Sequence, residues 1–423
     1  MKRVCVINVV GLTEELLVHA PNLRALGQAK PWRAPLPAVT CTAQATMLTG
    51  CSPKKHGIVA NGWCYPETQE VRFWQQSYQL LEAEPFYCNR KTASLFWWFA
   101  LGAPIESRVL PRPHYGCDGS KAFDIIDTTS CALQENLGPF PFFSFWGPNA
   151  GLPSSTWIAE ASALVMRKEK PEITLVYLPH LDYDYQRFGP GNVDRVKEVD
   201  ECAAKVVAAA QDINAEVIVV SEYGLVDVDQ PVYLNRELRK QGWLNVRPGP
   251  FGERLQPQSS HAFAVCDHQL AHLYVRGLKL DELAAYVENI PGVSRVCRPE
   301  ELALNHRRSG DLIVLSEQNA WFAYPYWLEN QSQPDFHATI DIHNKPGYDP
   351  CELFLGSKAK LFWRLLQKKC GLRVPMDIIN TDAKQVRGSH GLNVEPSKGP
   401  LIIGQGAPDN MLGFKEYILS RLG

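Results

Sequence analysis

The chain has 423 residues, of which 45% are hydrophobic and 21% are charged, as in ordinary soluble globular proteins. This length exceeds what one core usually serves, so we expect one large domain with a smaller insertion. Lys and Arg together number 43 and Asp and Glu 45, giving a formal net charge of −2. That balance argues against nucleic acid as a bulk partner.

The amino-terminal segment MKRVCVINVVGL places two basic residues before an apolar stretch, as a short signal peptide does. Asn8 interrupts this stretch, however, and a helix-like segment follows Gly11. The pattern therefore predicts the first buried strand of an α/β fold. No apolar run is long enough to span a bilayer. We expect a cytoplasmic protein with no membrane partner.

The segment PAVTCTAQATMLTG, residues 37–50, combines small side chains with a helical pattern. A threonine at the start of this helix would hold its hydroxyl beside free N–H groups at the positive end of the helix dipole. Such a site binds phosphate and lowers the cost of an alkoxide. Thr40 therefore has two open roles: a nucleophile toward phosphorus, or an N-cap, which is the commoner use of threonine at such a position.

Three short runs rich in Val and Ile predict buried strands at residues 4–10, 173–179 and 216–224. A helical pattern over 194–213 lies between the last two. Strands that alternate with helices predict a doubly wound, mostly parallel sheet. Residues 60–150 are rich in aromatic side chains, and we expect them to form an insertion packed over that sheet.

Ligands of such sheets bind at the carboxyl ends of the strands, and polar side chains follow the predicted strands there. His and Asp side chains together at a strand end are typical ligands of divalent metals, and a hydrogen-bonded polar loop is the alternative. The candidates at strand ends and in later loops are His180, Asp182, Asp184, Arg187, Glu222, His343 and His390.

The pattern changes between residues 255 and 318. HAFAVCDHQLAHLYV has strand character, KLDELAAYVENI is an amphipathic helix, and GDLIVLS is a further strand. We expect an α+β insert or cap over 255–318. The α/β core would then consist of residues 1–254 and 319–423, with a late strand in LIIGQG.

Four segments resemble the alkaline phosphatase superfamily and, within it, the type I phosphodiesterase/nucleotide pyrophosphatase family. They are PAVTCTAQATMLTGCSPKKHGIVANGW, VYLPHLDYDYQRFGP, VIVVSEYGL and GSHGLN, in the order of the family and across most of the chain. The first follows the family pattern P-x-x-T…TG…P..HGI..N. The resemblance implies an alkaline phosphatase-like fold and a hydrolase of phosphate esters, phosphodiesters or related bonds.

In that family a Thr or Ser nucleophile lies between two metal ions, usually zinc. By position, Thr40 matches the nucleophile, Asp182 an aspartate ligand, and His390 the histidine ligand near the C-terminus. The substrates that the resemblance implies are small phosphorylated or anionic molecules.

Other ligand positions of the family are altered. Val10 replaces an aspartate, Gln186 replaces a histidine, and Glu222 with Tyr223 replaces an Asp-His pair. Valine cannot bind a metal, and glutamine and tyrosine are poor zinc ligands. We therefore expect at most one divalent ion, zinc, bound by a rebuilt set of ligands. That set comprises Asp182, Glu222 and His390, helped by His180, Asp184 or His343.

Three hypotheses remain open at this point. The first is a hydrolase with Thr40 as nucleophile and Arg187 as a further catalytic residue on the rebuilt metal centre. The second is a catalytically inactive binding or scaffold protein. The third is a metal-free site with His390 as the base and four cations that bind an anionic group: Arg112, Arg187, Lys345 and Arg387. Polar groups stay dense around the altered positions, which favours a working site.

Overall fold

An eight-stranded sheet forms the centre of the protein in the computed structural model, which describes residues 2–117 and 120–423. From edge to edge its strands are Ala29–Pro31, Leu401–Ile403, Ala215–Val220, Arg3–Val9, Ile173–Leu178, Thr92–Leu95, Ser107–Pro111 and Ile125–Asp127. The five strands from Ala215–Val220 to Ser107–Pro111 are parallel, and the others pair antiparallel. The predicted α/β fold with a mostly parallel sheet is confirmed.

The sequence suggested that the aromatic region at 60–150 is an insertion over the sheet, and this prediction is wrong. Its segments Thr92–Leu95, Ser107–Pro111 and Ile125–Asp127 extend the sheet itself. The aromatic side chains were misleading because they pack against this extension. The ring of Phe140, for example, lies 4.7 Å from that of Phe96 and 5.2 Å from that of Trp157.

Helices pack against this sheet and against one another. Leu152–Glu169 and Val193–Asp212 contact each other and the central strands, while Phe414–Leu422 contacts both Arg3–Val9 and Thr40–Thr49. The other helices are Glu14–Leu17, Pro21–Arg24, Pro53–His56, Leu133–Leu137, His180–Phe188, Leu234–Lys240, Leu280–Glu288 and Lys358–Lys369. Among the described residues, none of the helices combines the length and apolar character needed to cross a membrane.

A second sheet, antiparallel and four-stranded, forms between residues 262 and 316. Its strands in spatial order are Ala262–Asp267, Leu270–Val275, Leu312–Ser316 and Val293–Cys297, and the helix Leu280–Glu288 packs against it. The first hairpin turns at His268 and Gln269, and His268 has a φ of +58°. The backbone N–H of Gln269 donates to the carbonyl oxygen of His390 at 3.0 Å, which joins this turn to the main domain. The boundaries 254/255 and 318/319 stay predictions.

Short two-stranded ladders complete the fold. They pair Gly62–Tyr65 with Glu70–Phe73, His114–Tyr115 with Lys121–Ala122, Val226–Asp227 with Gly388–Ser389, Gln230–Val232 with Ala320–Phe322, and Val246–Arg247 with Arg254–Leu255.

A buried ion cluster holds the segment that follows the second sheet. Lys345 is 1% exposed, and its Nζ lies 2.7 Å from Asp349 Oδ2 and 2.8 Å from Glu352 Oε1. Burial lowers the pKa of Lys345, but the two carboxylates outweigh burial and raise it overall. Glu352 also accepts from the indole N–H of Trp146 at 2.6 Å. Lys345 is thus fully engaged within the protein.

Lys345→Met should destabilise the protein by about 3–5 kcal/mol, because it leaves two carboxylates buried without their cation. Urea unfolding of the variant measures this loss. Lys279→Met is the matched control, since Lys279 forms its ion pair with Glu282 in solvent and should leave the urea midpoint unchanged. Equal midpoints for Lys345→Met and the wild type would contradict the assignment.

Candidate functional site

Three neighbouring parallel strands end at one edge of the sheet. Ala215–Val220 leads to Glu222 and Tyr223, Arg3–Val9 leads to Val10, and Ile173–Leu178 leads into the helix His180–Phe188. The carboxyl ends of parallel strands meet at the same edge, so side chains from distant parts of the sequence converge there.

Thr40 is the first residue of the helix Thr40–Thr49, and Val39 is the N-cap. The Thr40 hydroxyl oxygen lies 3.1 Å from the hydroxyl oxygen of Tyr223. Val39 makes no side-chain hydrogen bond to this helix start. The N-cap role considered for Thr40 is therefore wrong, because its hydroxyl is directed across the sheet edge at Tyr223.

Asp182 is buried, and neutral donors bind both of its carboxyl oxygens. Tyr223 Oη donates to Oδ1 at 3.4 Å, and Gln186 Nε2 donates to Oδ2 at 2.7 Å. Gln186 Oε1 in turn accepts from the hydroxyl of Tyr348 at 2.7 Å. Burial raises the pKa of Asp182 to about 7, and the bonds from Gln186 and Tyr223 oppose this rise. The carboxyl group is therefore partly ionised near neutral pH.

Neutral donors also bind Glu222, but at one of its two carboxyl oxygens. Its Oε1 accepts from Asn8 Nδ2 and from Gln44 Nε2, both at 2.6 Å. Gln44 is fixed in turn, because its Oε1 accepts from the backbone N–H of Trp98 at 2.8 Å. Burial raises the pKa of Glu222 to about 8, against these hydrogen bonds. Glu222 is thus mostly protonated at neutral pH.

Four rings stack beside Asp182, and we call them the ring stack: Tyr223, His390, His268 and Tyr348. Successive ring centres are 3.5, 3.7 and 3.8 Å apart. His390 Nδ1 lies 2.8 Å from the Ala38 carbonyl oxygen, which can only accept, so Nδ1 carries the proton. Burial lowers the pKa of His390 to about 3, so the ring is neutral. Its Nε2 faces Asp182 Oδ1 at 3.6 Å.

The donor set does not fit the metal centre that the family resemblance implies. Within the described part of the chain, no three His, Cys, Asp or Glu side chains are grouped so that they could hold a metal ion. Asp182 and His390 lie together, but Gln186 and Tyr223 turn their N–H and O–H donors to the carboxylate that a cation would bind. Two ligands are fewer than the three that a catalytic zinc needs.

His180 and Asp184, which the sequence suggested as further metal ligands, do not join Asp182 and His390 in one ligand set. The sequence suggested metal ligands or a polar loop at the end of a strand, but these residues form the helix His180–Phe188. Residues four apart share a helix face, so His180 lies with Asp184, whereas Asp182 lies with Gln186. Asp184 is neutralised by ion pairs with Arg187 and, at 2.6 Å, with Arg195.

Arg187 does not have the catalytic surroundings that the sequence suggested. Besides its ion pair with Asp184, its Nη1 donates to the carbonyl oxygen of Pro148 at 2.9 Å. Its guanidinium therefore connects the helix to a neighbouring loop.

His343, the third of the further ligands that the sequence suggested, has a different partner. Its Nδ1 bonds to the carbonyl oxygen of Phe73 at 3.3 Å.

The other cations of the metal-free hypothesis are placed elsewhere as well. Arg112 and Arg387 are exposed, and Lys345 forms ion pairs with Asp349 and Glu352. The four-cation anion site of that hypothesis is therefore not formed.

A polar chain that was not among the expectations from sequence supports the start of the Thr40–Thr49 helix. Asn61 Oδ1 accepts from the backbone N–H of Cys41 at 3.0 Å. The backbone and side-chain N–H groups of Asn61 donate to Asp267 at 2.7 and 3.1 Å. Two signals were available: the Asn of the HGI..N motif, and the Asp-His pair in CDHQ at the end of a predicted strand.

The contribution of Glu222 to stability should fall as the pH rises from about 4.5 to about 8, because the unfolded chain releases the Glu222 proton in this range and the folded chain keeps it. Glu222 alone contributes a slope of about 1.4 kcal/mol per pH unit. Urea unfolding at several pH values measures the slope. Glu222→Gln has no proton to release, so the stability of the wild type should decline relative to that of this variant as the pH rises. Parallel pH profiles for the two proteins would show that Glu222 titrates normally.

Protein purified without chelators should contain far less than one equivalent of zinc, manganese or iron, because among the residues that the structure describes only Asp182 and His390 of the family's ligand positions lie together as His or carboxylate ligands. Elemental mass spectrometry measures the content, and Asp182→Asn serves as the ligand-deficient control. One or two equivalents of metal in the wild type that disappear in Asp182→Asn would refute this ligand count.

Comparison with known proteins assigns the chain to a family. Residues 4–349 match the family described as type I phosphodiesterase / nucleotide pyrophosphatase. An uncharacterised pyrophosphatase/phosphodiesterase of Schizosaccharomyces pombe is 24% identical over 241 residues, which cover 52% of this chain and 44% of that relative. This chain therefore matches less than half of the relative's length.

Solved structures share the fold. Phosphonoacetate hydrolase from Sinorhizobium meliloti in complex with phosphonoacetate superposes with a TM-score of 0.61 at 15% identity, covering 100% of this chain and 96% of that one. Murine ectonucleotide pyrophosphatase / phosphodiesterase 5 superposes with a TM-score of 0.60 at 13% identity, covering 100% and 95%. The resemblance to the alkaline phosphatase superfamily is confirmed. Because the family match extends over most of the sequence, the chain belongs to the type I phosphodiesterase / nucleotide pyrophosphatase family.

Proposed function

We propose that the protein is a hydrolase of phosphate esters or phosphodiesters in small molecules, with Thr40 as nucleophile and without the two-metal centre of its family. One observation carries the proposal: the hydrogen-bond chain from Thr40 through Tyr223 to Asp182. Ionised Asp182 can only accept, so Tyr223 donates to it and Thr40 donates to Tyr223. The chain therefore leads the nucleophile's proton toward a base.

In this mechanism the Thr40 proton moves to Tyr223 Oη while the Tyr223 proton moves to Asp182 Oδ1. The freed Thr40 oxygen forms a bond to phosphorus, and the bond from phosphorus to the leaving oxygen breaks. A pKa of about 7 suits Asp182 for this work, since an efficient general base titrates near the working pH. The leaving oxygen departs as an anion and takes a proton from solvent. Water then forms a bond to phosphorus with both of its protons kept by the phosphate product, and the bond from phosphorus to Thr40 breaks. The proton on Asp182 returns through Tyr223 to the Thr40 oxygen.

The start of the Thr40–Thr49 helix supports anion binding at the same place. The first N–H groups of a helix and its dipole attract phosphate oxygens. The N-cap residue Val39 supplies no side-chain acceptor for them, although Asn61 Oδ1 already accepts from the backbone N–H of Cys41. The protonated Glu222 and the neutral His390 nearby add no negative charge that would repel a phosphate.

The second candidate is a binding protein without turnover. It is favoured by the second oxygen of the Asp182 carboxyl group, which already accepts a hydrogen bond from Gln186. Gln186 in turn accepts from the hydroxyl of Tyr348. Such a protein would hold a small phosphorylated ligand at the helix start and leave it intact. AMP and phosphonoacetate are suitable probes because related proteins have been studied with them.

The cytoplasmic location expected from the sequence also stays a prediction.

The experiment follows nitrophenol release from nitrophenyl phosphate mono- and diesters in the presence of a chelator. We expect turnover that increases as the pH rises through about 7, because Asp182 must be ionised to act as base. Thr40→Ala should abolish it, and Tyr223→Phe should lower kcat by about 10²–10⁴ because the proton path is cut.

Tyr185→Phe is the matched control, since its hydroxyl only contacts the carbonyl oxygen of Asn192. Turnover that survives in Thr40→Ala would refute the nucleophile. Calorimetric binding of AMP without any turnover in the wild type would select the second candidate.

A further inference from the structure

A helix on the surface presents large apolar side chains to solvent. None of the twelve residues of Lys358–Lys369 is buried, and we call this element the surface helix. Phe362 is 68% exposed, Trp363 56% and Leu366 40%, and Leu372 just beyond the helix is 57% exposed. Soluble proteins rarely leave such a contiguous apolar patch in water, and those that do commonly use it as an interaction site.

Three of the exposed apolar side chains, Phe362, Trp363 and Leu366, lie on one face of the surface helix, whereas Leu365, which is 51% exposed, lies outside this face. Ala359, Phe362, Trp363, Leu366 and Cys370 follow the spacing i, i+3, i+4, i+7 and i+11, which is a single helical stripe.

The opposite side of the helix holds it to the protein. There Leu361 packs against a buried cluster, and Arg364 Nε lies 2.8 Å from Asp377 Oδ1. The apolar stripe therefore points away from the fold.

The charge of the surface helix is strongly positive. Its sequence KAKLFWRLLQKK carries four lysines and one arginine and contains no acidic residue, in a chain of net charge −2. Asp377 pairs with Lys360 and Arg364. Within the described residues no ion pair engages Lys358, Lys368 or Lys369, so these ammonium groups remain available.

The lysines also have a suitable position around the apolar stripe. At 3.6 residues per turn, Lys358 and Lys369 lie along one edge of the stripe and Lys360 along the other. Their alkyl stems can follow the apolar surface while the ammonium groups reach outward. A stripe of Phe, Trp and Leu bordered by lysines matches the chemistry of an anionic bilayer, with acyl chains below and phosphate headgroups above.

We infer that the surface helix lies in the plane of an anionic lipid membrane, with Phe362, Trp363 and Leu366 at the boundary of headgroups and acyl chains. This mode needs no membrane-spanning helix. It departs from the expectation of no membrane partner, which considered only spanning segments. It is independent of the chemistry at Thr40.

A second copy of the chain fits this face less well. Two surface helices face to face would bring their cations together, with no acidic residue on either helix to pair with them. The exposed patch also measures roughly 500 Å² from the usual areas of such side chains, whereas a stable dimer buries about 800 Å² per partner.

Flotation of the full chain with vesicles tests the inference. One vesicle type contains phosphatidylcholine alone, and the other contains phosphatidylcholine and phosphatidylglycerol at about three to one. We expect at least about tenfold stronger binding to the anionic vesicles, weakened by high salt. The double variant Phe362→Ser/Trp363→Ser should lose at least about tenfold of that binding. Phe251→Ser, at a phenylalanine that is 63% exposed elsewhere, is the matched control and should bind as the wild type does.

A second variant separates charge from apolar contact. Lys358→Gln/Lys369→Gln should weaken binding to anionic vesicles and leave the urea midpoint unchanged. Absence of binding to both vesicle types, or equal binding by the Phe362→Ser/Trp363→Ser variant, would overturn the inference. A wild-type dimer that becomes a monomer in that variant, without vesicle binding, would assign the face to a second copy instead. Capture of an acidic protein without vesicle binding would overturn it as well.

Discussion

Two buried carboxyl groups at one edge of the sheet impose the constraint on which the site depends. A carboxylate removed from water needs a cation or hydrogen-bond donors to compensate for its lost hydration. In the family implied by the motifs, metal ions supply that compensation. Here Asp182 has Tyr223 and Gln186, and Glu222 has Asn8 and Gln44. Because neutral donors compensate less than a cation does, both groups keep protons to unusually high pH.

These replacements work as a set. Gln186 gives its amide N–H to Asp182 and takes the hydroxyl of Tyr348 on its oxygen, so both ends of its side chain are satisfied. Tyr223 likewise serves Asp182 with its hydroxyl and covers His390 with its ring. A return of one position to a metal ligand would leave the remaining donors without acceptors. With this set of residues, the Thr40 hydroxyl is connected through the Tyr223 hydroxyl to the carboxyl group of Asp182. A hydroxyl nucleophile needs at least such a base to take its proton.

The outer parts of the molecule support this arrangement. Tyr348 lies between Lys345 and Asp349 in sequence, so the buried ion cluster fixes the backbone that presents the end of the ring stack. His268 reaches the stack from the hairpin of the second sheet, where its left-handed backbone turns the chain sharply. The neighbouring Asp267 binds Asn61 and so reaches the start of the Thr40–Thr49 helix. The second sheet is thus joined to the site from two directions.

The sequence by itself determined the α/β fold, the family and the position of Thr40 at the start of a helix. These features follow from local patterns: apolar runs, helical spacing and the order of short motifs. Val10 in place of an aspartate also led us to expect, without a structure, an altered metal centre. Only the tertiary structure decided which side chains bind Asp182 and Glu222, because the deciding contacts join residues far apart in sequence. Thr40 and Tyr223 are 183 positions apart, and Gln186 and Tyr348 are 162 apart. The direction of a side-chain amide or hydroxyl depends on the packing of its surroundings, which no local pattern encodes. The same holds for His180 and Asp184: their spacing was visible in the sequence, but the helix that turns them away from Asp182 was not.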